Sequence, residues 1–449
     1  MKLTFVGGVN DVTGANFLLE IGDKKLIVDC GMLQGGDAYP VNAKPFTYDP
    51  ASIDVLVVTH AHIDHIGKIP KLVKDGFKGK IISTIYTKEL APIMLEDSCK
   101  LISMDAERRG VATLYDISHV QNALSIWETL PYHTKKEILP GVTLEYKDAG
   151  HILGSGMAII EADGRRVAFT GDLGNTPSPI LNDTEYITDA DYMVMESVYG
   201  DRNHPSKEIR RENLLKELKE AIKRGGTILI PMFSLEKTQD FLYEMNYFVE
   251  SGLLPAIPVF LDSPMAIKVT EVYKRAYKEF NPKAQKQIED GDDIFSFPKL
   301  SVTQSRDESQ AVERTAPPKI LLAGSGMSAG GRIVDHERVL LPDPKNTIIF
   351  LGYQSVGTLG RAISSGLKKV RIGGHDVKVN AKVVTVDGYS SHKDSDHLLD
   401  FVEHAVGRMK KVFVAMGESK SALYLAQRIN DNTNIKAVHP QPNDTVVLD

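Results

Sequence analysis

Short apolar runs separated by turn residues fill the first two hundred positions, and they constrain the fold more than any other feature of the chain. Runs such as KKLIVDCG, DVLVVTH and RRVAFTGD have the length and composition that predict strands. Helical periodicity intervenes at Lys68 to Lys74 and at Lys88 to Arg108. We therefore expect this region to be mixed α/β structure with many loops at the ends of strands.

The sequence pattern changes after Glu196. The segment SKEIRRENLLKELKEAIKRG predicts an amphipathic helix, and the strand-like runs TILIP, IPVFLDS, KILLAGSG and NTIIFLGY follow, each with a helical pattern behind it. Such alternation predicts a parallel sheet with crossover helices, from about Pro205 to Asp376. The polar segment NPKAQKQIEDGDDIFSFPKLS between its halves is expected to be rich in loops.

The C-terminal tail returns to strand and helix pairs, for example KKVFVAMGE and SALYLAQRIN. Periodicity alone leaves open whether this tail forms a third domain or completes the first one. Cys30 and Cys99 are the only cysteines, which excludes a disulfide framework and favours a reducing compartment.

Bulk properties argue against a membrane protein and against a protein whose whole surface is positive. The chain contains no apolar run of eighteen residues and no basic leader followed by an apolar stretch, so we expect a cytoplasmic protein that does not enter the membrane. A formal net charge of -6 argues against a surface that is positive throughout. Any binding of nucleic acid would therefore use a local basic groove.

A cluster of histidines follows the strand-like run IDVLVV. His60, His62 and Asp64 alternate, so an extended backbone would point the three side chains the same way, and His65 follows at once. Neutral imidazole and carboxylate are the ligands that Zn²⁺ prefers where thiolates are absent. A single histidine is usually a cap or a solvated loop residue, but this density of ligand-type side chains favours a metal site.

Later strand ends offer further ligands. His151 in DAGHILGS and Asp172 in AFTGDLG each follow a glycine, as expected where the backbone must turn sharply to aim a side chain. Asp29 in LIVDCG also ends a strand. It could orient a ligating imidazole from behind, or it could be an ordinary turn aspartate before glycine.

In order and residue type these positions resemble the signature of the metallo-β-lactamase superfamily. The resemblance implies an αββα sandwich, an α/β fold, with a pair of zinc ions between its two sheets. One zinc would bind His60, His62 and His151, the other would bind Asp64 and His65, and Asp172 would bridge the two.

Two segments beside the middle region narrow the resemblance. MESVYGDR, with Glu196, and GYSSHKDSD, with His392, are similar to motifs of the β-CASP nucleases, as are LLAGSGMSAGGRIVDH and LGYQSVGTLGRAI. The resemblance implies a metallo-β-lactamase domain of residues 1–200 and 378–449, interrupted by an α/β β-CASP domain of residues 201–377. Glu196 and His392 would pair beside the scissile phosphate.

One position departs from the family pattern. RNA-cutting members carry a histidine before Gly-Glu that ligates the second zinc, whereas VFVAMGES places Met416 there. A thioether binds Zn²⁺ poorly. The second zinc site is therefore expected to be weak, and Met416 itself is expected to be a buried hydrophobe.

The resemblance implies a zinc-dependent nuclease that hydrolyses single-stranded RNA in processing or decay and leaves 3′-hydroxyl and 5′-phosphate ends; endonucleolytic action is expected, but these residues leave 5′-exonuclease action open. Asp64 would orient the nucleophile, and His392 would either act as general acid or stabilise the charge on the phosphate. Lys237, Ser325, Arg332 and Arg361 are expected to contact phosphates, although each is also an ordinary surface or turn residue. A homodimer is expected by analogy with relatives.

Three alternative functions share parts of this pattern. A nuclease acting on DNA fits an apolar residue at position 416. A hydrolase of small esters or lactones would use the same metal centre but would not need the long insertion. A catalytically silent RNA-binding partner would have lost metal ligands, whereas this chain keeps all six outside the position of Met416.

Overall fold

The computed structural model describes residues 1–35, 37–355, 357–405 and 407–449. They fall into two compact units. Unit 1 comprises Met1–Asn203 and His392–Asp449, and unit 2 comprises His204–Ser391. Helices and strands alternate in both units, so the expected α/β class is confirmed.

Unit 1 contains two seven-stranded mixed sheets. In spatial order the strands of the first sheet are Thr445–Val447, Lys2–Gly7, Asn16–Ile21, Lys24–Val28, Val55–Val57, Lys80–Ser83 and Trp127–Thr129. Those of the second sheet are Lys436–Val438, Lys411–Val414, Tyr192–Met195, Arg165–Phe169, Gly156–Ala162, Val142–Asp148 and Lys136–Leu139. The C-terminal segment supplies Thr445–Val447 to the first sheet, and Lys411–Val414 and Lys436–Val438 to the second. It therefore completes this unit rather than folding by itself.

An apolar core joins the facing sides of the two sheets. Phe5 and Phe17 of the first sheet pack on Phe413 and Phe169 of the second, with ring centroids 5.2 Å and 6.0 Å apart. Alternate residues of the strand Val142–Asp148 are buried, as the period of two requires. Each such aromatic side chain contributes about 1.5–3 kcal/mol when it is removed from water.

Helices of unit 1 lie outside the sheets. Ser395–Glu403 and Ser419–Asn432 pack on the second sheet through a separate apolar cluster. The longest helix, Ile85–Arg109, begins where the Thr84 hydroxyl accepts a hydrogen bond from the Thr87 amide and ends at Gly110 in the left-handed conformation. The remaining helices of this unit are Tyr39–Asn42, Pro50–Ser52 (a 3₁₀ turn), Ile63–Ile66, Ile69–Lys74 and Ile117–Ser125.

Unit 2 is built on one parallel sheet of six strands, as expected from its strand and helix alternation. Its strands, in spatial order, are Leu300–Val302, Val259–Asp262, Lys319–Ala323, Thr227–Pro231, Thr347–Leu351 and Lys382–Val386. Lys369–Ile372 and His375–Lys378 form a separate hairpin. Its helices are Lys207–Arg224, Lys237–Glu250, Pro264–Arg275, Tyr277–Glu279 (a 3₁₀ turn), Pro282–Glu289, Arg306–Arg314, Arg332–Leu340 and Leu359–Ser364.

The structure differs from the expected pattern at two points. Unit 1 resumes at His392 rather than at residue 378, because the strand Lys382–Val386 pairs in parallel with Thr347–Leu351 and so belongs to unit 2. The polar excursion expected to be loop-rich contains the helix Pro282–Glu289, whose first turn is capped by the Asn281 side chain.

Among the described residues, no helix is both long enough and apolar enough to cross a bilayer.

Candidate metal centre

The predicted metal ligands all lie in unit 1, just beyond the carboxyl ends of strands. His60 and His62 follow Val55–Val57, and the short helix Ile63–Ile66 carries Asp64 and His65. His151 follows the strand that ends at Asp148, and Asp172 follows the strand that ends at Phe169. Strands of both sheets thus deliver ligands from distant parts of the sequence to one edge of the sandwich.

The first group of candidate ligands joins His60, His62, His151 and Asp172, and one donor atom from each lies within 4.8 Å of all the others. His62 Nδ1 lies 3.1 Å from His60 Nε2 and 3.3 Å from His151 Nε2. Asp172 Oδ2 lies 3.5 Å and 3.6 Å from those two Nε2 atoms. Donors bound to one tetrahedral zinc at 2.0–2.1 Å would be separated by about 3.3 Å, so these four side chains fit such an ion.

The second group joins Asp64, His65 and the same Asp172. His65 Nε2 and Asp172 Oδ1 are both buried, and neither has a hydrogen-bond partner among the described residues. They face each other at 3.4 Å. Buried polar atoms are normally paired. An unpaired nitrogen and an unpaired carboxylate oxygen at this separation fit a shared divalent cation.

Hydrogen bonds behind the histidines select the ring nitrogens that face the centre. Asp29 Oδ2 lies 2.7 Å from His65 Nδ1, and the Thr59 hydroxyl donates to the same oxygen. Because its proton is used there, Thr59 Oγ1 accepts from His60 Nδ1 at 3.1 Å. Both imidazoles therefore carry a proton on Nδ1 and present Nε2 to the centre, as metal-binding histidines do.

Burial and charge set the protonation of the centre before any metal binds. Burial holds the pKa of His60 below its usual value, and those of His62 and His151 well below it, so these rings are neutral. Burial also opposes the charging of His65, but Asp172 and Asp29 raise its pKa well above the usual value. A metal ion would displace that proton and take over its charge.

A third cluster places Glu196 and His392 beside the same aspartate. His392 Nδ1 lies 3.2 Å from Glu196 Oε1 and 3.9 Å from Asp172 Oδ2. The Glu196 carboxylate also accepts from the backbone amides of Leu173, at 2.6 Å, and Val198, at 3.3 Å. Glu196 is fully buried, whereas the His392 side chain is about a quarter exposed, so the imidazole is the member of the pair that reaches solvent.

Met416 lies in the core between the sheets of unit 1 and is 1% exposed. Its backbone is left-handed, with a φ of +47°, and its amide donates to the Gly8 carbonyl at 2.7 Å. The second ligand group thus has three imidazole and carboxylate members where the family pattern supplies one more. This packing agrees with the expectation of a buried hydrophobe at this position.

The residues expected to contact phosphates all lie in unit 2. Lys237 is the first residue of the helix Lys237–Glu250, with its ammonium 4.6 Å from the Phe233 ring centre, and burial lowers its pKa to about 8. Ser325 lies in the turn after Lys319–Ala323, where its hydroxyl accepts from the Ala329 amide at 3.4 Å. Arg361 is exposed, with its guanidinium 5.9 Å from the Tyr353 ring centre.

Arg332 has a different environment. Its guanidinium donates to Asp262 at 2.5 Å and to the carbonyls of Thr303 and Gln304 at 3.2 Å and 2.7 Å. Asp262 is fully buried and also binds His336 at 2.6 Å. These hydrogen bonds give Arg332 a structural role within unit 2. A phosphate contact is therefore less favoured at Arg332 than at Lys237 or Arg361.

Comparison with family models places the chain in a known group. The model of the metallo-β-lactamase superfamily matches residues 9–232, and that of the Beta-Casp domain matches residues 238–363. A third model, described as a Zn-dependent metallo-hydrolase RNA specificity domain, matches residues 376–440. Together the matches span most of both units.

Comparisons with individual proteins agree with the matches to the family models. A ribonuclease of Thermus thermophilus is 35% identical over 95% of both chains, and an RNase J-like protein of Methanocaldococcus jannaschii is 30% identical over 95% of both. The transcription termination factor FttA of Methanosarcina mazei is 29% identical over 97% of this chain and 70% of that factor. A crystal structure of a protein of unknown function from Enterococcus faecalis, 12% identical, covers 100% of this chain and 99% of its own with a TM-score of 0.57, which shows a shared fold.

The fold and the buried centre of histidines and carboxylates define a metallohydrolase of the metallo-β-lactamase class. Within that class the chain belongs to the β-CASP family. The expected family, fold class and class of enzyme, a metal-dependent ribonuclease, are confirmed at this level. Membership implies binding of divalent metal, and the RNA specificity domain supports binding of RNA.

Sequence patterns missed some residues that shape the centre. Thr59 precedes the histidine cluster, but a threonine at a strand end gives no distinctive signal. Leu173 acts only through its backbone, and Lys393 follows His392 as an ordinary charged residue. The hydrogen bonds of these residues depend on tertiary contacts that spacing does not encode.

Proposed function

We propose that this protein is a zinc-dependent endonuclease that hydrolyses phosphodiester bonds of single-stranded RNA. The observation that carries the proposal is the convergence of two ligand groups on Asp172, with unpaired buried donor atoms in the second group. The ribonuclease relatives and the RNA specificity domain support RNA as the substrate.

Six side chains would hold two zinc ions: His60, His62 and His151 the first, Asp64 and His65 the second, and Asp172 both. When bound, divalent ions supply Lewis acidity, which lowers the pKa of water and stabilises negative charge on phosphoryl oxygens. Asp29 and Thr59 hold a proton on Nδ1 of His65 and of His60, so Nε2 is the nitrogen of each ring that would face the metal.

The other side chains would act on protons. Asp64 is half-buried, so it can orient an attacking water and accept its proton. As the water oxygen bonds to phosphorus and the bond to the ribose 3′-oxygen breaks, His392 would donate a proton to that leaving oxygen. Glu196 orients the imidazole through Nδ1. The products are a 3′-hydroxyl and a 5′-phosphate.

A single assay tests the function. Purified protein loaded with zinc should cut a 5′-labelled single-stranded RNA at internal positions, and a chelator should abolish the cleavage. His151→Ala should lose this activity because it removes a donor of the first group. His375→Ala, in the exposed hairpin of unit 2, is the matched control and should behave as wild type.

The same assay discriminates the alternatives. Faster cleavage of the matching DNA would favour a DNA nuclease. Release of single nucleotides only, from the 5′ end, would contradict endonucleolytic action. Binding of RNA without cleavage by the zinc-loaded protein would contradict the nuclease and favour a silent RNA-binding partner.

A further inference from the structure

His392 reaches the centre on a segment that is anchored to the loop of residues 172–176. His392 forms a bridge with Gly174, and the Lys393 amide donates to the Leu173 carbonyl at 2.9 Å. The Leu173 amide in turn donates to Glu196. The backbone of one residue, Leu173, therefore links the segment of His392 to the carboxylate that orients it.

The same loop is held from a second direction. The Gly174 amide donates to the Ala149 carbonyl at 2.8 Å, and the Thr184 hydroxyl donates to both Ala149 and Gly174 carbonyls. The backbones pass so closely that a Cβ on Gly174 would lie 1.9 Å from the Gly150 oxygen. These contacts fix the loop of residues 172–176 relative to His151. A segment that is bonded to this loop is therefore also fixed relative to His151.

Lys393 attaches to this loop with its side chain as well as its backbone. Its ammonium donates to Thr176 Oγ1 at 2.9 Å. The residue is 5% exposed, and among the residues that the structure describes its ammonium has no ion pair within 4 Å. Burial disfavours the charged ammonium and lowers the pKa of Lys393, although the carboxylates of Asp183, Glu196, Asp400 and Asp394 act in the opposite direction. Stability alone therefore does not account for a lysine here.

We propose that Lys393 is a positioning residue, whose ammonium, bound to Thr176, fixes His392 against Asp172 and Glu196. The backbone contacts of residues 392 and 393 set the approximate path, and the side-chain bond fixes the loop beyond Leu173 to the same segment. The proposal rests on the proposed function for its kinetic consequence, because only a reacting imidazole needs this placement.

Loss of the ammonium should reduce turnover without weakening substrate or metal binding. Lys393→Met keeps the length of the side chain and removes the charge. We expect kcat for RNA cleavage to fall about ten- to a hundredfold, since small displacements of a catalytic group have effects of this size. KM, bound zinc and Tm should stay the same as in wild type, because the side chain keeps its length and the backbone contacts of residues 392 and 393 remain.

Thr176 provides the matched pair of variants. Thr176→Val removes the acceptor and should reproduce the loss in kcat, whereas Thr176→Ser keeps the hydroxyl and should retain activity. The double variant Lys393→Met/Thr176→Val should be no slower than the slower single variant, because both remove one interaction. Equal activity of Lys393→Met and wild type, or multiplying effects in the double variant, would overturn the proposal.

Amide hydrogen exchange gives a readout that does not depend on catalysis. In Lys393→Met the amides of residues 172–176 and of His392 should exchange faster, while those of the sandwich core should not change. If wild type failed to cut RNA, the nuclease function would fall, and unchanged exchange at these amides would separately refute the positioning role. Loss of bound zinc and a lower Tm in Lys393→Met would indicate a merely structural lysine and would also refute it.

Discussion

The two ligand groups of the metal centre share Asp172 but differ in how completely the protein builds them. The first group brings three imidazoles and a carboxylate within 4.8 Å, enough to close a tetrahedral site. The second group has two carboxylates and one imidazole, and the position that would complete it in the family pattern is the buried Met416.

The difference indicates unequal affinity within one centre. Four donors from the chain suit a tightly bound ion, whereas three donors leave more of the coordination to water or substrate. With only three donors, retention of a second ion would depend more strongly on Asp172 and on the orientation of His65 than retention of the first would. Variants that act on one group, on both, or on the missing donor therefore test this comparison.

Removal of Asp172 should have the largest effect, because it takes a donor from both groups. We expect Asp172→Ala to lose the second ion, to weaken the first, and to reduce kcat for RNA cleavage by about a thousandfold, which corresponds to about 4 kcal/mol. Zinc content by plasma mass spectrometry and cleavage of labelled RNA measure the two losses.

Asp23→Ala, in an exposed turn between strands, is the control and should keep both metal and activity. An Asp172→Ala protein that kept two zinc ions would show that the groups do not share this carboxylate. A Tm well below that of wild type would instead assign the loss to unfolding, so Tm is measured on both variants.

Much of this centre was predictable from the sequence, for a physical reason. His60, His62, Asp64 and His65 lie within six residues, so they stay close together in any fold, although Asp64 and His65 lie on the short helix Ile63–Ile66 and not on the extended backbone expected there. The contributions of His151 and Asp172 were predictable only through the order of residues in a family pattern, because periodicity does not show which strand ends meet. Thr59 and Lys393 act through tertiary hydrogen bonds and gave no sequence signal.

The domain organisation shows the same limit. The strand Lys382–Val386 has the composition of any buried or half-buried strand, so its pattern does not reveal which sheet it joins. Its parallel pairing with Thr347–Leu351 assigns it to unit 2 and moves the return to unit 1 to His392. Partner choice between strands is a tertiary property, so the sequence pattern could not place the boundary that the strand pairing gives.

A second prediction separates the groups through the residue behind His65. Asp29 accepts the proton of His65 Nδ1, and an asparagine would present an amide that favours the other tautomer. We expect Asp29→Asn to weaken the second ion about ten- to a hundredfold while the first ion stays bound. Competition with a graded zinc chelator, monitored together with RNA cleavage, gives the two affinities.

Asp54→Asn is the isosteric control, since that carboxylate accepts only from the Lys25 amide among its side-chain hydrogen bonds in the described residues. It should leave both affinities as they are. Equal weakening of both ions in Asp29→Asn would show that the groups bind as a single unit, and the comparison between them would then have no basis.

The smallest expected effect is a gain. Met416→His would restore the donor type that the family pattern places here, and histidine tolerates the left-handed backbone of this position better than most residues do. Because a buried imidazole replaces an apolar side chain in the core, Tm should fall even though zinc binding improves. We expect the second ion to bind up to about tenfold more tightly. Met416→Leu, which keeps an apolar side chain, should bind zinc as wild type does; tight binding of two ions by wild type itself would mean that the three-donor group is already sufficient.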